Sequence, residues 1–197
     1  MPTISAVILA AGRSTRFPGN KLLTRIGGKT IIERVLGTFQ ESRVDRIIVV
    51  VGWQARKLLK SIEGLNVEAV INEKYDEGMS SSVRLGVRKV LESDAVIIHP
   101  ADVPFISTNT INKVIESYNT GGKPIVVAGY KGRPGHPILF CGSLFPEILE
   151  IREETLGLKS VVSRHSDEIL VVETEPACLF DIDSPEDLKR IAKIVDS

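Results

Sequence analysis

The chain alternates between two patterns of apolar positions. Short runs rich in β-branched residues predict strands buried on both faces of a sheet, and apolar residues three or four positions apart predict amphipathic helices. The predicted strands span 4–9, 46–51, 67–71, 94–98, 124–128, 137–141 and 169–173. The predicted helices span 29–40, 53–62, 80–91, 108–118, 144–151 and 185–195. This alternation predicts one α/β domain over residues 1–197, Rossmann-like, with a mainly parallel, mixed sheet and helices on both faces.

Composition limits the classes of partner. Lys and Arg number 25 and are balanced by 25 Asp and Glu, so the chain has no global positive field for nucleic acid. No apolar run approaches the roughly 18 residues of a membrane span, and no charged region precedes the first apolar stretch. Cys141 and Cys178 each lie among apolar residues, which favours buried thiols over a disulfide or a metal-binding pair. We therefore expect a cytoplasmic protein with neither a nucleic-acid nor a membrane partner.

The stretch Ile4–Leu23 carries the strongest chemical signal. Its predicted strand leads into a loop of small, basic and turn-forming residues between Ala10 and Asn20. Small residues let a backbone approach a ligand closely, and free N–H groups in such a turn form an anion-binding concavity. Three cations accompany the loop: Arg13, Arg16 and Lys21. Together these features predict a polyphosphate site.

Two common phosphate loops do not match this stretch. The P-loop ends in Gly-Lys-Ser/Thr, as Gly28-Lys29-Thr30 does, but its first glycine would fall at Leu23. The dinucleotide fingerprint would need a glycine at Ser14. What remains is the run L-A-A-G-x-S-x-R-(F)-x-G-x-K-L-L over Leu9–Leu23. It resembles the signature loop of nucleotidyltransferases that attach a nucleoside monophosphate to a phosphorylated acceptor, and most of all that of the molybdenum cofactor cytidylyltransferase family.

The resemblance implies a nucleotide-diphospho-sugar transferase-like fold. It also implies CTP as the nucleotide, Mg²⁺ as the cofactor, a molybdopterin-type phosphate as the acceptor and a molybdoenzyme as a partner that receives the product. The residues of this loop expected to contact the nucleotide are Leu9, Ala10, Ala11, Gly12, Arg13, Arg16 and Lys21. Among them, Arg16 and Lys21 are expected to act in catalysis by stabilising charge on the triphosphate.

A second chemical segment follows the predicted strand 94–98. Asp102 lies there between two prolines, and its carboxylate suits Mg²⁺, which prefers one or two carboxylates together with substrate phosphates. An Asx turn or a helix cap is the local alternative. The resemblance favours a catalytic metal on Asp102, with Asp183 as the second metal carboxylate and Asp181 as a weaker alternative to Asp183. A role at the start of the final helix is the local alternative for Asp183. His99 is expected to pack locally rather than to catalyse.

Two further loops match the family. The run G-M-S-S-S begins a predicted helix, where hydroxyls can cap the helix and the helix start can bind an anion or a base edge. In related cytidylyltransferases this segment faces the base and ribose, so Gly78, Ser81 and Ser82 are expected to contact the nucleotide. The run G-R-P-G-H-P matches the family's acceptor side, so Arg133 and His136 are expected to bind the acceptor. A histidine satisfied by loop carbonyls is the alternative for His136.

These expectations combine into transfer of CMP from CTP to an acceptor phosphate, with release of pyrophosphate. The attacking phosphate is already anionic at neutral pH, so positioning and charge neutralisation suffice without a protein nucleophile. Guanylyl-transferring relatives tend to have glycine where this chain has Ala11, whose methyl group narrows the base site and favours CTP over GTP. Another small phosphate acceptor is an alternative, and so is a non-catalytic protein that holds a pterin cofactor and delivers it to a molybdoenzyme.

Overall fold

The computed structural model describes residues 1–17 and 19–188. Its strands are β1 (Ile4–Ala10), β2 (Arg25–Ile26), β3 (Lys29–Thr30), β4 (Arg46–Val51), β5 (Glu68–Ile71), β6 (Ala95–Pro100), β7 (Ile125–Tyr130), β8 (Arg133–Cys141) and β9 (Ile169–Glu173). Its α-helices are α1 (Ile31–Gln40), α2 (Ala55–Ser61), α3 (Met79–Val87), α4 (Thr108–Gly121), α5 (Phe145–Leu149) and α6 (Leu158–Arg164). Of the predicted final helix, residues 185–188 are helical, and the remainder lies outside the described residues.

Seven strands form one sheet in the order β5-β4-β1-β6-β8-β7-β9. The pairs β1–β4, β1–β6, β4–β5 and β7–β9 are parallel, whereas β8 runs antiparallel to both of its neighbours. This arrangement confirms the predicted mainly parallel, mixed sheet. No helix of the described residues has the length and apolar character that crossing a bilayer requires.

The two faces of the sheet bury alternate residues of the same strands. In β1, Ile8 packs into a core that includes residues of α1, α2 and α4. Its neighbour Val7 packs into a second core that includes residues of α3, α5 and α6. Because helices cover both faces, the central strands have continuous apolar runs rather than an alternation of apolar and polar residues.

The structure corrects the expected start of the first helix. The predicted helix 29–40 begins only at Ile31, because Lys29 and Thr30 form β3 of a small β2–β3 hairpin. The hairpin turns through Gly27 and Gly28, whose φ angles of 58° and 85° suit glycine. Thr30 then caps α1 in a capping box. The Gly-Lys-Thr run that imitates the end of a P-loop is therefore a hairpin turn and a helix cap.

The loops after β1 and β6 meet at one edge of the sheet. The two strands are parallel neighbours, so their carboxyl ends lie side by side. The Ala101 N–H donates a hydrogen bond of 3.0 Å to the Leu9 carbonyl, which extends the contact of the two strands into their loops. The segments that contain the predicted cations and Asp102 are thus adjacent.

Close packing of α3 on the sheet gives a stability prediction. A Cβ atom at Gly86 would collide with the Val7 side chain and lie 3.1 Å from Cγ2 of Val50. Gly86→Ala should therefore lower the free energy of unfolding by about 1–3 kcal/mol. In Gly37→Ala, the added Cβ in α1 meets nothing within 4 Å, and that variant should gain about 0.5–1 kcal/mol. Urea denaturation measures both changes, and equal effects would contradict the contact of α3 with β1.

Candidate functional site

A cavity of about 390 Å³ opens where the loops after β1 and β6 meet the start of α3. The predicted site residues that line it are Leu9, Ala10, Ala11, Gly12, Lys21, Gly78, Ser82 and Asp102. Its wall also contains residues that the sequence did not single out: Ser14, Leu22, Tyr75, Met79, Pro100 and Glu153. The structure thus brings the glycine turn, a cation and an aspartate into one cavity.

A larger groove of about 570 Å³ lies near the amino ends of β4 and β5. Its wall includes Asp45, Arg46 and Glu68, and the Arg46 guanidinium is already paired with Glu68 and Glu92. Ligands of open α/β sheets bind beyond the carboxyl ends of the strands. We therefore place the functional site in the smaller cavity.

Local structure fixes the position of Lys21. Residues Lys21–Leu23 form one turn of 3₁₀ helix, whose first free N–H, that of Leu22, donates to the Asn20 side chain at 3.1 Å. The Leu22 side chain is buried in the core and anchors the turn. This anchoring holds Lys21 in the cavity wall, where its side chain is 14% exposed.

The Lys21 ammonium contacts three acceptors. Its Nζ atom lies 2.7 Å from Oδ2 of Asp102, 2.8 Å from the Ile182 carbonyl oxygen and 3.4 Å from Oδ1 of Asp183. An ammonium has three N–H donors, so each acceptor can take one. The Ile182 N–H also donates to the Asp102 carbonyl at 2.8 Å. This backbone bond places Asp183 beside Asp102, although the two are far apart in sequence.

The predicted arginines lie outside the cavity wall. Arg16 pairs with Asp183 at 2.9 Å while its side chain is 70% exposed, so it lies at the outer side of the carboxylate pair. Arg13 pairs with Asp76 at 2.7 Å on the surface, and that carboxylate raises the pKa of the guanidinium. Arg133 is exposed at the start of β8. The assignment of these side chains to nucleotide or acceptor contacts stays a prediction.

Asp102 and Asp183 fit a hard divalent cation. The Nζ atom of Lys21 contacts both carboxylates, so a single metal cation placed near that atom could also contact both. The described residues contain no cluster of three or more His, Cys, Asp or Glu side chains suited to a metal. A metal held by two carboxylates would need further oxygen ligands, and Mg²⁺ commonly takes these from water and substrate phosphates. Asp181 is exposed, and its negative charge favours the protonated form of His136.

The hydroxyls at the start of α3 are largely engaged within the protein. The Ser81 hydroxyl contacts the Gly78 carbonyl at 2.8 Å and accepts from the Asn72 side chain at 2.8 Å. Ser82 accepts from the same amide at 2.9 Å, yet it also lines the cavity. Ser81 is buried and lies outside the wall, so the structure places Gly78 and Ser82 at the cavity and Ser81 behind it.

Glu153 reaches the cavity from the loop that follows α5. Its Oε2 atom accepts hydrogen bonds from the Ser80 N–H at 2.9 Å and from the Ser80 hydroxyl at 2.6 Å. These bonds lower the pKa of the Glu153 carboxyl. Nothing in the local sequence marks Glu153, because its position depends on a contact across 73 residues.

Comparison with known families identifies the domain. A family model described as the MobA-like NTP transferase domain matches residues 6–169, which include Lys21 and Asp102. The chain belongs to this family. The match confirms the resemblance inferred from Leu9–Leu23.

Relatives of this MobA-like domain include longer, bifunctional proteins. The bifunctional protein GlmU of Buchnera aphidicola subsp. Acyrthosiphon pisum is 33% identical over 135 residues, which are 68% of this chain and 29% of GlmU. This chain therefore spans less than a third of the length of that relative.

Solved structures confirm the predicted fold. A nucleotidyl transferase from Methanothermobacter matches with a TM-score of 0.85 and 26% identity, over 98% of this chain and 97% of that one. The manganese complex of Rv0371C from Mycobacterium tuberculosis matches with a TM-score of 0.78 and 23% identity, over 97% of this chain and 98% of that one. Because its identity is only 23%, the second match supports the shared fold alone.

Two histidines, the buried His99 and the half-buried His136, lie behind Asp102 in the MobA-like domain. Burial lowers the pKa of His99 to about 3, and its Nε2 atom lies 3.0 Å from the Val103 carbonyl oxygen, to which it must donate. His136 lies edge-on to it, with 6.2 Å between ring centroids, and burial lowers its pKa against the opposing effect of Asp102. His99 thus has the local packing role expected from the sequence. His136 lies outside the cavity wall, and its acceptor role stays a prediction.

Burial of neutral His99 should make the domain less stable in acid. In the unfolded chain this residue gains a proton near pH 6.5, whereas in the folded protein it stays neutral until about pH 3. The unfolded state binds more protons in that window, so the free energy of unfolding falls as pH falls. Between pH 7.5 and 5.0 the part due to His99 should reach about 2 kcal/mol. His99→Gln has an amide donor but no titrating ring. Over this pH range its free energy of unfolding should fall by about 2 kcal/mol less than that of the parent protein.

Urea denaturation at the two pH values measures the difference, with His165→Gln as a contrasting variant. The carboxylates of Glu168 and Glu147 raise the pKa of His165, so its protonation favours the folded state. Removing that ring should steepen the loss of stability in acid. The assignment for His99 is wrong when His99→Gln and the parent protein show the same pH dependence.

Proposed function

We propose that this chain is a nucleotidyltransferase that moves CMP from CTP to the phosphate of a molybdopterin-type acceptor and releases pyrophosphate. The observation that carries the proposal is the Lys21 ammonium, which lies in one cavity with the glycine turn and contacts Asp102 and Asp183. A cation beside two carboxylates suits a triphosphate that binds together with a divalent metal. Membership of the MobA-like family supports nucleotidyl transfer.

The phosphates would bind at the turn that follows β1. Gly12 lines the cavity there, and its backbone can approach a ligand closely because it has no side chain. Lys21 supplies positive charge inside the cavity. Arg16, and with it Arg13, would add charge from the rim once the triphosphate competes for their present carboxylate partners.

The chemistry needs no protein nucleophile. An oxygen of the acceptor phosphate forms a bond to the α-phosphorus of CTP while the bond from that phosphorus to the oxygen bridging the β-phosphate breaks. Pyrophosphate takes the electron pair and leaves. Lys21 would hold the triphosphate in position and neutralise the developing charge. Mg²⁺ held by Asp102 and Asp183 would contribute charge neutralisation and orientation of the α-phosphate when it is bound.

The wall of the cavity near Ala11 favours the smaller base. Ala11 is almost fully buried, and a Cβ atom at Gly52 would lie only 2.8 Å from the Ala11 methyl group and 2.6 Å from the Tyr75 side chain. Close packing against Gly52 therefore holds the Ala11 methyl group in place, so the cavity cannot widen at this point. Tight packing supports cytosine over guanine here.

The acceptor assignment has separate support. The run from Gly132 to Pro137 resembles the acceptor side of molybdenum cofactor cytidylyltransferases. Arg133 and His136 would contact the acceptor phosphate or pterin. A molybdoenzyme would receive the product.

Pyrophosphate release tests the function directly. With Mg²⁺ and molybdopterin containing molybdenum, we expect release from CTP to exceed release from GTP. Lys21→Ala should lower kcat/KM for CTP by about 10²–10³, because it removes a charged donor from the reacting phosphates. Lys57→Ala, which changes an exposed lysine of α2, should leave it unaltered.

Other results would identify a different activity. Faster release from GTP would indicate a guanylyltransferase. Tight binding of the pterin without pyrophosphate release from any nucleoside triphosphate would contradict catalysis and favour a delivery protein. Full activity of Lys21→Ala would remove Lys21 from the mechanism.

A further inference from the structure

The cavity wall contains two carboxylates with different surroundings. Asp102 lies beside the Lys21 ammonium, whereas Glu153 lies at the start of α3 with Ser80. Among the described residues, Lys21 is the only cation of the wall. The positive charge of the wall therefore lies at Lys21, where it would become available to phosphates once a metal takes Asp102 and Asp183, and Glu153 gives the start of α3 a negative charge.

This division orients a nucleoside triphosphate. Phosphates would be stabilised near Lys21 and disfavoured at the Glu153 carboxylate, which already accepts the Ser80 donors and feels the charge of Arg84. Tyr75 and Met79, which line the wall near the start of α3, offer the aromatic and apolar surface that a base requires. Met79 is 57% exposed and so remains accessible to a ligand. The base should thus lie towards Glu153 and the phosphates towards Lys21.

The backbone brings Glu153 close to the start of α3. Gly78 has a φ of 93°, and a Cβ atom there would lie 2.5 Å from Cδ of Glu153. The absence of a side chain at Gly78 thus lets the carboxylate lie across the helix start. Because the Ser80 N–H already donates to Glu153, the partial positive charge of this terminus is used by the protein's own anion. A phosphate would have to displace that anion.

We propose that Glu153 determines base specificity by accepting a hydrogen bond from the exocyclic amino group of cytosine and by disfavouring uracil. The inference rests on the proposed function, because it assigns the base end of the same nucleotide site. Glu153 would contact the substrate rather than act through another residue.

The chemistry of a carboxylate explains the selection. An ionised carboxylate accepts hydrogen bonds and cannot donate them. Bonds from Ser80 lower the pKa of Glu153, so the group is ionised at neutral pH. Cytosine presents an amino donor at C4, where uracil presents a carbonyl acceptor. A carboxylate facing that position pairs with cytosine and repels uracil.

A purely structural role for Glu153 makes a different prediction. The carboxylate replaces a side-chain cap that Gly78 cannot supply, and such caps contribute to stability. Loss of a cap alone would lower the melting temperature and weaken CTP and UTP binding by the same factor. The ratio of the two affinities therefore separates specificity from capping.

Calorimetric titration of the protein with CTP and with UTP, both with Mg²⁺, measures this ratio. We expect the parent protein to bind CTP at least about tenfold more tightly than UTP. Glu153→Gln can turn its amide N–H towards the uracil carbonyl, so the ratio should fall to about threefold or below. Glu154→Gln is the matched control, because Glu154 lies in the adjacent outer groove and not in the wall of the cavity, and it should keep the parent ratio.

One further ligand makes the test independent of how the variant folds. The triphosphate of 2-pyrimidinone riboside lacks the amino group of cytosine and has no carbonyl at C4. The parent protein should bind it about tenfold more weakly than CTP. Equal binding of this analogue and CTP would overturn the inference, as would an unchanged CTP-to-UTP ratio in folded Glu153→Gln. Binding of CTP and UTP with equal affinity would overturn only the role of Glu153, whereas failure of the parent protein to bind any nucleoside triphosphate would overturn the proposed function too.

Discussion

The site depends on one ammonium group that joins three segments of the chain. Lys21 Nζ contacts Asp102, 81 residues away, as well as Ile182 and Asp183, 161 and 162 residues away. The first segment follows β1, the second follows β6, and the third lies near the end of the described chain. Without a cation in this position, two carboxylates would lie close together, and only the exposed Arg16, which pairs with Asp183, would offset their charges. The arrangement therefore requires Lys21 or another cation.

This cluster is poorly suited to a purely stabilising role. The Lys21 and Asp102 side chains are 14% and 25% exposed, so both charges have lost much of their hydration. Desolvation offsets most of the attraction in such pairs, and apolar residues often stabilise a fold equally well. Under the proposed function, Lys21 and the two carboxylates would change partners when substrate and metal bind. The carboxylates would take the metal, and the ammonium would take the triphosphate.

Regular patterns predicted most of the fold. The central strands are buried on both faces, and that burial leaves the continuous apolar runs that located β1, β4 and β6. The antiparallel direction of β8 could not be predicted, because strand direction leaves no mark on an apolar run. The β2–β3 hairpin and α6 are too short for a periodic signal. Val161 is the one residue of the seven-residue α6 that is fully buried.

The candidate site was predictable where its residues are close in sequence. The turn after β1 was found because glycines and cations concentrate within Leu9–Leu23, and the structure places Leu9–Gly12 and Lys21 in the cavity wall. Glu153 was missed because only tertiary packing brings the loop after α5 to Ser80. Ser81 shows the converse: its hydroxyl lies at the expected helix start, yet bonds with Asn72 and Gly78 hold it behind the wall.

A crystal structure of the protein with CTP and Mn²⁺ would most directly test whether Lys21, Asp102 and Asp183 bind the triphosphate and its metal. Anomalous scattering distinguishes manganese from the lighter atoms of the protein and nucleotide. We expect manganese bound by Asp102 and Asp183, with Lys21 Nζ within hydrogen-bond distance of a CTP phosphate oxygen. Manganese bound elsewhere, or CTP bound outside this cavity while Lys21 keeps both carboxylates, would contradict it.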